Sequence, residues 1–233
     1  MRTTGHRMTV VRGSFFIFLL LSVVTGFAPA ATTSRSLNRS SLQVIELAET
    51  EETDTKPTTL KHDLAAKLLS TCDEYGQVGS KLSDEQRSVI DDIAASLGKY
   101  SSPSPAKIDL KGKHELIYSA SPSASSGALG PLTGKVTQSF LDETMFINRV
   151  EFFGGIAKIE LYAERKVLDD NKIRVKFKET VMSVFGKEVK RFEAKGSGIW
   201  DYVFAGSITQ PSGEKLFLRV MNTPSTFVIV QRE

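Results

Sequence analysis

The segment of residues 127–153 constrains the fold of this chain more than any other. It contains two runs rich in β-branched and aromatic residues, in which apolar side chains recur at every second position. One side of the first run carries Val136, Gln138 and Phe140, and one side of the second carries Phe146, Asn148, Val150 and Phe152. A period of two over five or more residues predicts half-buried antiparallel strands. The segment therefore predicts a wall around an apolar interior.

The same period continues through most of the chain and predicts a mainly β fold. We predict nine strands, over residues 113–119, 134–141, 146–153, 156–168, 172–185, 188–194, 199–205, 215–221 and 226–231. Gly154-Gly155, Asp169 to Asn171 and Gly186-Lys187 are predicted hairpin turns, since such turns need residues that accept positive φ. Consecutive hairpins favour an up-and-down antiparallel arrangement. Eight or nine such strands either close into a barrel or stack as a sandwich, and periodicity alone does not choose between them.

The predicted strands have two distinct faces. In the fifth strand, Ile173, Val175 and Phe177 share one face, and the opposite face carries a basic row of Lys172, Arg174, Lys176 and Lys178. Ile159, Leu161 and Ala163 form the matching apolar face of the preceding strand. We interpret the basic row as a solvated outer face, with contact to anionic lipid head groups as the alternative. Trp200, Tyr202 and Phe204 alternate on one face and are predicted core residues, or else the lining of a pocket for an apolar ligand.

Two helices are predicted ahead of the strands, within residues 59–98. Apolar residues and Cys72 recur every four residues from Leu60, which is the pattern of an amphipathic helix. The second helix has Ser83 as N-cap with Gln86 three residues later, a capping box, and Gly98 at its end.

The N-terminal 57 residues have the composition of targeting segments. Residues 1–26 are predicted to be a signal peptide, because three arginines precede the apolar run 15–24, which is too short to span a bilayer. Residues 27–43 contain Ser, Thr, Ala and Arg but no acid, as in an organellar transit peptide, and residues 45–57 read as an acidic linker. The alternative is ordinary secretion with an N-terminal tail. The globular domain is predicted over residues 58–233, with the strands from residue 110 onward.

Composition and motifs give no support to catalysis, metal binding or nucleic-acid binding. The formal net charge of +3 is concentrated in the basic start of the chain, so the remainder offers no basic surface for nucleic acid. One cysteine and three scattered histidines do not provide converging metal ligands. The glycine-rich stretch 130–136 fails as a phosphate loop, because Leu129 and Val136 stand where glycine and Ser or Thr are needed. We therefore predict no catalytic residue, no cofactor and no metal.

Several stretches, in this order and spacing, resemble the plastid lipid-associated protein family, also called fibrillins. Residues 110–119 match a strand of this family with the sequence pattern L-x-G-x-W-x-L-x-Y-[ST], except that His114 replaces the tryptophan. Gly130-Pro131, residues 136–140 and 148–150, and the closing segments 218–220 and 227–230 follow as in the family. The family's Tyr-x-Asp element is absent, since residues 212–215 occupy its place.

This resemblance implies a lipocalin-like antiparallel β-barrel in a plastid, at thylakoids or plastoglobules. It implies a non-enzymatic protein that binds or coats apolar lipids such as prenylquinones or carotenoids, with peripheral contact to a plastid membrane or lipid-droplet surface. The tryptophan that His114 replaces plugs one end of lipocalin-like barrels, so the replacement affects the packing of that end. The alternatives are a lipid-modifying barrel enzyme or enzyme partner, with Glu115, Gln138 or Arg219 reaching the cavity, and a secreted lipocalin-like carrier.

The predicted ligand-binding interior combines apolar positions with three polar ones. The apolar positions are Val136, Phe140, Phe146, Val150, Phe152, Ile159, Leu161, Ile173, Val175, Phe177 and Trp200. The polar positions are Gln138, Asn148 and Arg219. We expect Gln138 and Asn148 to form hydrogen bonds with a neighbouring strand rather than to face a ligand.

Overall fold

A computed structural model describes residues 56–122, 124–223 and 225–232. The predicted signal peptide, the transit-like segment and all but the end of the linker lie outside these residues. Helix α1 (Lys56–Tyr75) and helix α2 (Asp84–Leu97) precede the strands. The described part of the chain is therefore mainly β with two N-terminal helices, as predicted. None of the described helices is long and apolar enough to cross a lipid bilayer.

Each of the nine predicted strands is present within a few residues of its predicted position, and two short strands are added. The strands are β1 (Gly112–Ser119), β2 (Ala128–Leu129), β3 (Leu132–Thr133), β4 (Lys135–Phe140), β5 (Met145–Phe152), β6 (Ala157–Val167), β7 (Lys172–Val184), β8 (Lys187–Glu193), β9 (Ser197–Thr209), β10 (Lys215–Asn222) and β11 (Thr226–Arg232). The additional strands β2 and β3 pair only with each other.

Nine strands form one antiparallel sheet, and β6, at one end of the spatial order, also pairs with β7 near the other end. The order is β6-β5-β4-β1-β11-β10-β9-β7-β8. The first half of β7 pairs with β9, whereas its second half pairs with β8, so β8 branches from a ring of eight strands. We call this arrangement the sheet ring. Its continuous pairing excludes the stacked sandwich that the periodicity had left open.

The sheet ring separates two apolar cores. Phe217, Arg219 and Met221 of β10 face the ring interior, whereas Leu218 and Val220 face the helices. The helix side of this wall is packed against Leu68 of α1 and the buried face of α2. Since both faces of β10 are covered, this strand is apolar at most positions and not only at alternate ones.

Local sequence signals explain where the helices begin and end. The capping box of α2 is formed: the Gln86 N–H donates to the Ser83 hydroxyl oxygen at 3.3 Å, and the Ser83 N–H donates to the Gln86 side-chain oxygen at 3.0 Å. Helix α1 begins at Lys56, three residues before the predicted start, and ends at Tyr75. Gly76 follows with φ 89°, a conformation that glycine adopts without strain.

Two predicted turns differ from the structure. The connection between β5 and β6 is a loop of residues 153–156 that contains the 3₁₀ turn Phe153–Gly155, and not a two-residue turn at Gly154-Gly155. The turn between β7 and β8 is Phe185-Gly186, with φ values of 51° and 73°, so Lys187 already belongs to β8. In both cases a phenylalanine occupies the first turn position, where side-chain identity gives no turn signal.

The prediction that Phe204 shares a face with Trp200 and Tyr202 was wrong. A register shift in the β9–β10 pairing matches Phe204 with Val220 but Tyr202 with Met221, which leaves Val203 as an extra residue. Such a bulge moves the side chains on its two sides to opposite faces of the sheet. Trp200 and Tyr202 therefore lie in the ring interior, whereas Phe204 packs against the helices.

The outer basic row has the exposure predicted for it. Lys172, Arg174 and Lys176 are exposed and Lys178 is half-buried, while Ile173 and Val175 are buried beneath them. Lys178 pairs with Glu164 of the neighbouring strand at 2.5 Å.

Candidate functional site

All fourteen positions predicted for the interior lie on the inner face of the sheet ring. Ten of the eleven apolar residues belong to one cluster or pack directly against it, and Leu161 is buried next to them as the register partner of Asn148. The cluster also contains interior residues that the sequence interpretation missed, namely Leu116, Met182, Met221, Phe227 and Ile229. Three of them, Leu116, Phe227 and Ile229, could have been predicted from the alternation of apolar residues in strands 113–119 and 226–231.

Aromatic side chains form a continuous path through the ring interior. The ring centroids of Phe140 and Phe146 are 5.6 Å apart, those of Phe146 and Trp200 5.8 Å, and those of Trp200 and Phe227 5.9 Å. These spacings are those of favourable aromatic pairs. We call these four residues the aromatic path. It is a continuous apolar surface inside the sheet ring, with successive rings tilted by 34–56°.

A line of hydrogen bonds crosses the interior next to the aromatic path. Nη2 of Arg219 donates to the side-chain oxygen of Gln138 at 2.6 Å, and Nε2 of Gln138 donates to the side-chain oxygen of Asn148 at 3.0 Å. The expectation that Gln138 and Asn148 form hydrogen bonds between strands is confirmed. Gln138 is thereby held with its oxygen towards Arg219.

A second arginine, which the sequence interpretation missed, reaches the same place. Arg165 of β6 follows Ile159, Leu161 and Ala163 at the inward period, so alternation alone would have placed it inside. It is 7% exposed, and its Nη2 donates to the Ile108 carbonyl oxygen at 3.3 Å. The guanidinium carbons of Arg219 and Arg165 lie 5.2 Å and 5.8 Å from the centroid of Phe140. Both distances are within the range of cation–π contacts.

His114 closes the same region from β1. Its ring packs edge-on against Phe140 with centroids 5.3 Å apart, and its Nε2 lies 3.2 Å from the Lys111 carbonyl oxygen. Burial lowers the pKa of His114 to about 3, and the charge of Arg219 acts in the same direction. At neutral pH the imidazole is therefore uncharged, and it packs against the apolar residues around it.

The interior contains positive charge without buried acid. Burial lowers the pKa of Arg219, the Tyr202 phenol opposes this effect, and the charge of Arg165 reinforces it. No aspartate or glutamate is buried among the described residues. Of the three residues that the enzyme alternative offered for the cavity, Glu115 lies on the outer face, where it pairs with Lys135 at 2.8 Å. Within the described ranges, no three His, Cys, Asp or Glu side chains are grouped to hold a metal ion.

The two loops at one end of the ring expose apolar side chains next to each other. Phe153, Ile156 and Phe185 are 49%, 45% and 78% exposed, and the Phe185 N–H donates to the Ile156 carbonyl oxygen at 2.7 Å. We call these three residues the apolar tip. Phe153 and Phe185 have φ values of 53° and 51°, which are uncommon for bulky residues. The packing of the described residues does not explain why the Phe185 side chain is exposed.

Comparison with known proteins identifies a family match. A family model described as PAP_fibrillin matches residues 62–223, which include most of α1, all of α2, strands β1 to β10 and all fourteen predicted interior positions. No curated protein and no solved structure matches the chain.

Proposed function

We propose, since the chain belongs to the PAP_fibrillin family, that its sheet ring is a lipocalin-like barrel which binds an apolar lipid. The family is plastid-associated and lipid-associated. Prenylquinones and carotenoids are the lipid classes that we infer for this chain. The proposed binding residues are the fourteen interior positions, with the aromatic path at their centre.

The observation that carries this proposal is the aromatic path within a continuous ring of strands. Conjugated and isoprenoid chains match such a surface in polarity. At about 25 cal/mol per Å², a tail that buries about 400 Å² of apolar surface would contribute about 10 kcal/mol before the cost of association. Useful affinity for an apolar lipid therefore requires no charged group.

We propose further that the chain acts without catalysis. Its interior polar groups are two arginines, two amides, a phenol, the Thr180 hydroxyl and an uncharged imidazole, and no carboxylate is buried with them in the described part of the chain. General acid–base chemistry needs a group that titrates near the working pH. A lipid-modifying enzyme remains the alternative, supported by the convergence of Gln138 and Arg219 inside the ring.

Peripheral contact with a membrane or lipid-droplet surface is the second part of the proposal. The apolar tip supports it, because exposed aromatic side chains enter the boundary between head groups and acyl chains. Lys158 lies beside the tip, where its side chain packs over Gly155, and Lys187 follows Phe185-Gly186 directly. Basic residues next to an apolar tip match the negative surface of a bilayer that contains anionic lipids.

Native mass spectrometry of protein purified from its source tests the lipid-binding proposal. We expect a bound lipid, or uptake of one from a plastid extract. Trp200 is the sole tryptophan of the chain, so a conjugated ligand in the interior should also quench intrinsic fluorescence. Protein that carries no lipid, takes none from the extract and shows no quenching would contradict the proposal.

The proposed location follows from the family and from the composition of residues 1–57. A fluorescent fusion of residues 1–60 is expected to reach the plastid through a signal peptide followed by a transit peptide. Passage of this fusion along the secretory route would instead favour the secreted carrier.

A further inference from the structure

Two arginines are buried inside the sheet ring without a carboxylate partner. Arg219 is 1% exposed and Arg165 is 7% exposed. Neither forms an ion pair within the described ranges, whereas the exposed Arg191 pairs with both Glu179 and Glu188. Burial of a charge is expensive unless an opposite charge or several hydrogen bonds accompany it. A fold that places two such groups together in its interior calls for a negative partner.

The contacts inside the fold satisfy these guanidinium groups only in part. Nε and Nη1 of Arg165 and Nε of Arg219 are buried and have no hydrogen-bond acceptor among the described residues. Nearly all buried donors in folded proteins are paired with protein or ordered water, so these three donors call for an acceptor that the described residues do not supply. The Ile108 carbonyl and the Gln138 side chain each satisfy one nitrogen, and the Tyr202 phenol lies close enough to Arg219 to raise its pKa.

Phe140 joins these donors to the apolar interior. Both guanidinium carbons lie within 5.8 Å of its ring centroid, and Phe140 is also the first member of the aromatic path. A molecule with a charged head between the arginines would therefore have an apolar surface next to it. Gln138 fixes the orientation of Arg219 and is in turn fixed by Asn148, so Gln138 is a positioning residue.

We propose that the ring interior binds an amphiphile through an anionic oxygen head group held by Arg165 and Arg219, with its hydrocarbon tail along Phe146 and Trp200. A carboxylate is the head group that this geometry fits best, since arginine binds planar oxyanions with parallel hydrogen bonds. A phosphate offers the same chemistry from a different lipid. This inference rests on the proposed function, because the tail occupies the interior assigned there to an apolar lipid.

Binding of cis-parinaric acid, a fluorescent fatty acid, to the full chain tests this inference. Its displacement by oleic acid is compared with displacement by oleyl alcohol and by octadecyl phosphate. We expect oleic acid to bind roughly ten- to hundredfold more tightly than the alcohol, which is the gain typical of hydrogen bonds to a charged group. Stronger displacement by the phosphate than by the acid would support the anionic site and assign it to phospholipids.

Variants locate the effect. Arg219→Met and Arg165→Met are each expected to remove most of the preference for acid over alcohol, measured within each variant as the ratio of its affinities for oleic acid and oleyl alcohol. Arg191→Met, which removes an exposed arginine of β8, is the matched control and should leave the preference intact. Comparison of acid with alcohol on the unaltered chain needs no variant, so a folding defect in one of them does not decide the result.

The outcomes separate this inference from the proposed function. Equal affinity for oleic acid and oleyl alcohol would overturn the anionic site and leave lipid binding in place. Failure of all three competitors and of cis-parinaric acid to bind would overturn both. A preference for acid that persists in both Arg165→Met and Arg219→Met would also overturn the assignment to these arginines.

Discussion

Arg219 and Gln138 are joined by a 2.6 Å hydrogen bond across the interior of the sheet ring. Their strands, β10 and β4, are not neighbours in the sheet, because β1 and β11 lie between them. Gln138 continues the link to Asn148 on β5. The bond therefore ties two walls of the ring together at a place where both side chains are almost completely buried.

Loss of the Gln138 acceptor should destabilise the fold more than loss of both partners. Gln138→Leu is expected to lower the free energy of unfolding by about 2–4 kcal/mol, because it leaves the Arg219 charge buried without its acceptor. Addition of Arg219→Met to this variant should restore a large part of the loss. Urea unfolding of the two single variants and the double variant gives the coupling free energy.

The matched control for this cycle is Glu115→Gln, which breaks the ion pair between Glu115 and Lys135 on the outer face. Since exposed ion pairs contribute about 0–1 kcal/mol, it should have little effect. Strictly additive effects of Gln138→Leu and Arg219→Met would contradict the proposed coupling.

The sequence predicted which residues face the interior but not which of these residues contact each other. Alternation determines the face of each residue as long as the strand is regular, and it therefore placed Val136, Phe146 and Trp200 inside. It failed at Phe204, because the bulge at Val203 follows from the register between β9 and β10 and leaves no mark on one strand alone.

The polar part of the candidate site was the hardest to predict. A charged residue at an inward position, such as Arg165, contradicts the apolar pattern that defines that face, so it was not assigned to the interior. Its proximity to Arg219 depends on the closure of β6 onto β7, which brings together strands far apart in the order of the sheet. Contacts across the ring are set by curvature and shear, which residue periodicity does not encode.

Neighbouring residues of β9 provide a direct test of the inner face. Trp200 is 7% exposed in the ring interior, whereas Ile199 is 54% exposed on the outer face. We expect Trp200→Ala to reduce the free energy of unfolding by about 3–5 kcal/mol, because it removes the centre of the aromatic path and leaves a cavity. Ile199→Ala should change it by about 0.5 kcal/mol or less. Similar losses in the two variants, measured by chemical denaturation, would contradict the assignment of faces.

Burial of His114 should make the fold sensitive to acid. Its pKa is about 3 in the folded chain, mainly because of desolvation, against about 6.5 when unfolded. Between these pH values His114 binds a proton in the unfolded chain but not in the folded chain. The free energy of unfolding therefore falls as the pH falls from about 6.5 to about 3. The contribution of this group to the loss is about 3 kcal/mol at pH 4.

Thermal unfolding of the original chain and of His114→Phe between pH 4 and pH 7 isolates this effect, since all other titrating groups are shared. We expect the variant to lose less stability on acidification than the original chain. Parallel pH profiles would show that the imidazole is not kept neutral by the fold.

The apolar tip allows a test in which stability and membrane binding should change in opposite directions. Phe185 has φ 51° and precedes Gly186 with φ 73°, so the turn has the conformation for which Asn-Gly is the preferred pair. Because the Phe185 side chain is 78% exposed, its removal sacrifices little packing. Phe185→Asn is therefore expected to raise the free energy of unfolding by up to about 1 kcal/mol.

If the tip enters lipid, the same change should weaken binding to vesicles of phosphatidylcholine and phosphatidylglycerol by roughly tenfold, since a large apolar side chain contributes about 1.5–3 kcal/mol when buried.

Leu168→Asn is the control for this prediction, because Leu168 is also exposed, at 39%, but lies at the opposite end of β6 from the tip. Vesicle sedimentation should show unchanged binding for Leu168→Asn and reduced binding for Phe185→Asn. Equal losses in both variants would point to general surface hydrophobicity. Full binding by a stabilised Phe185→Asn variant would remove the apolar tip from the membrane contact.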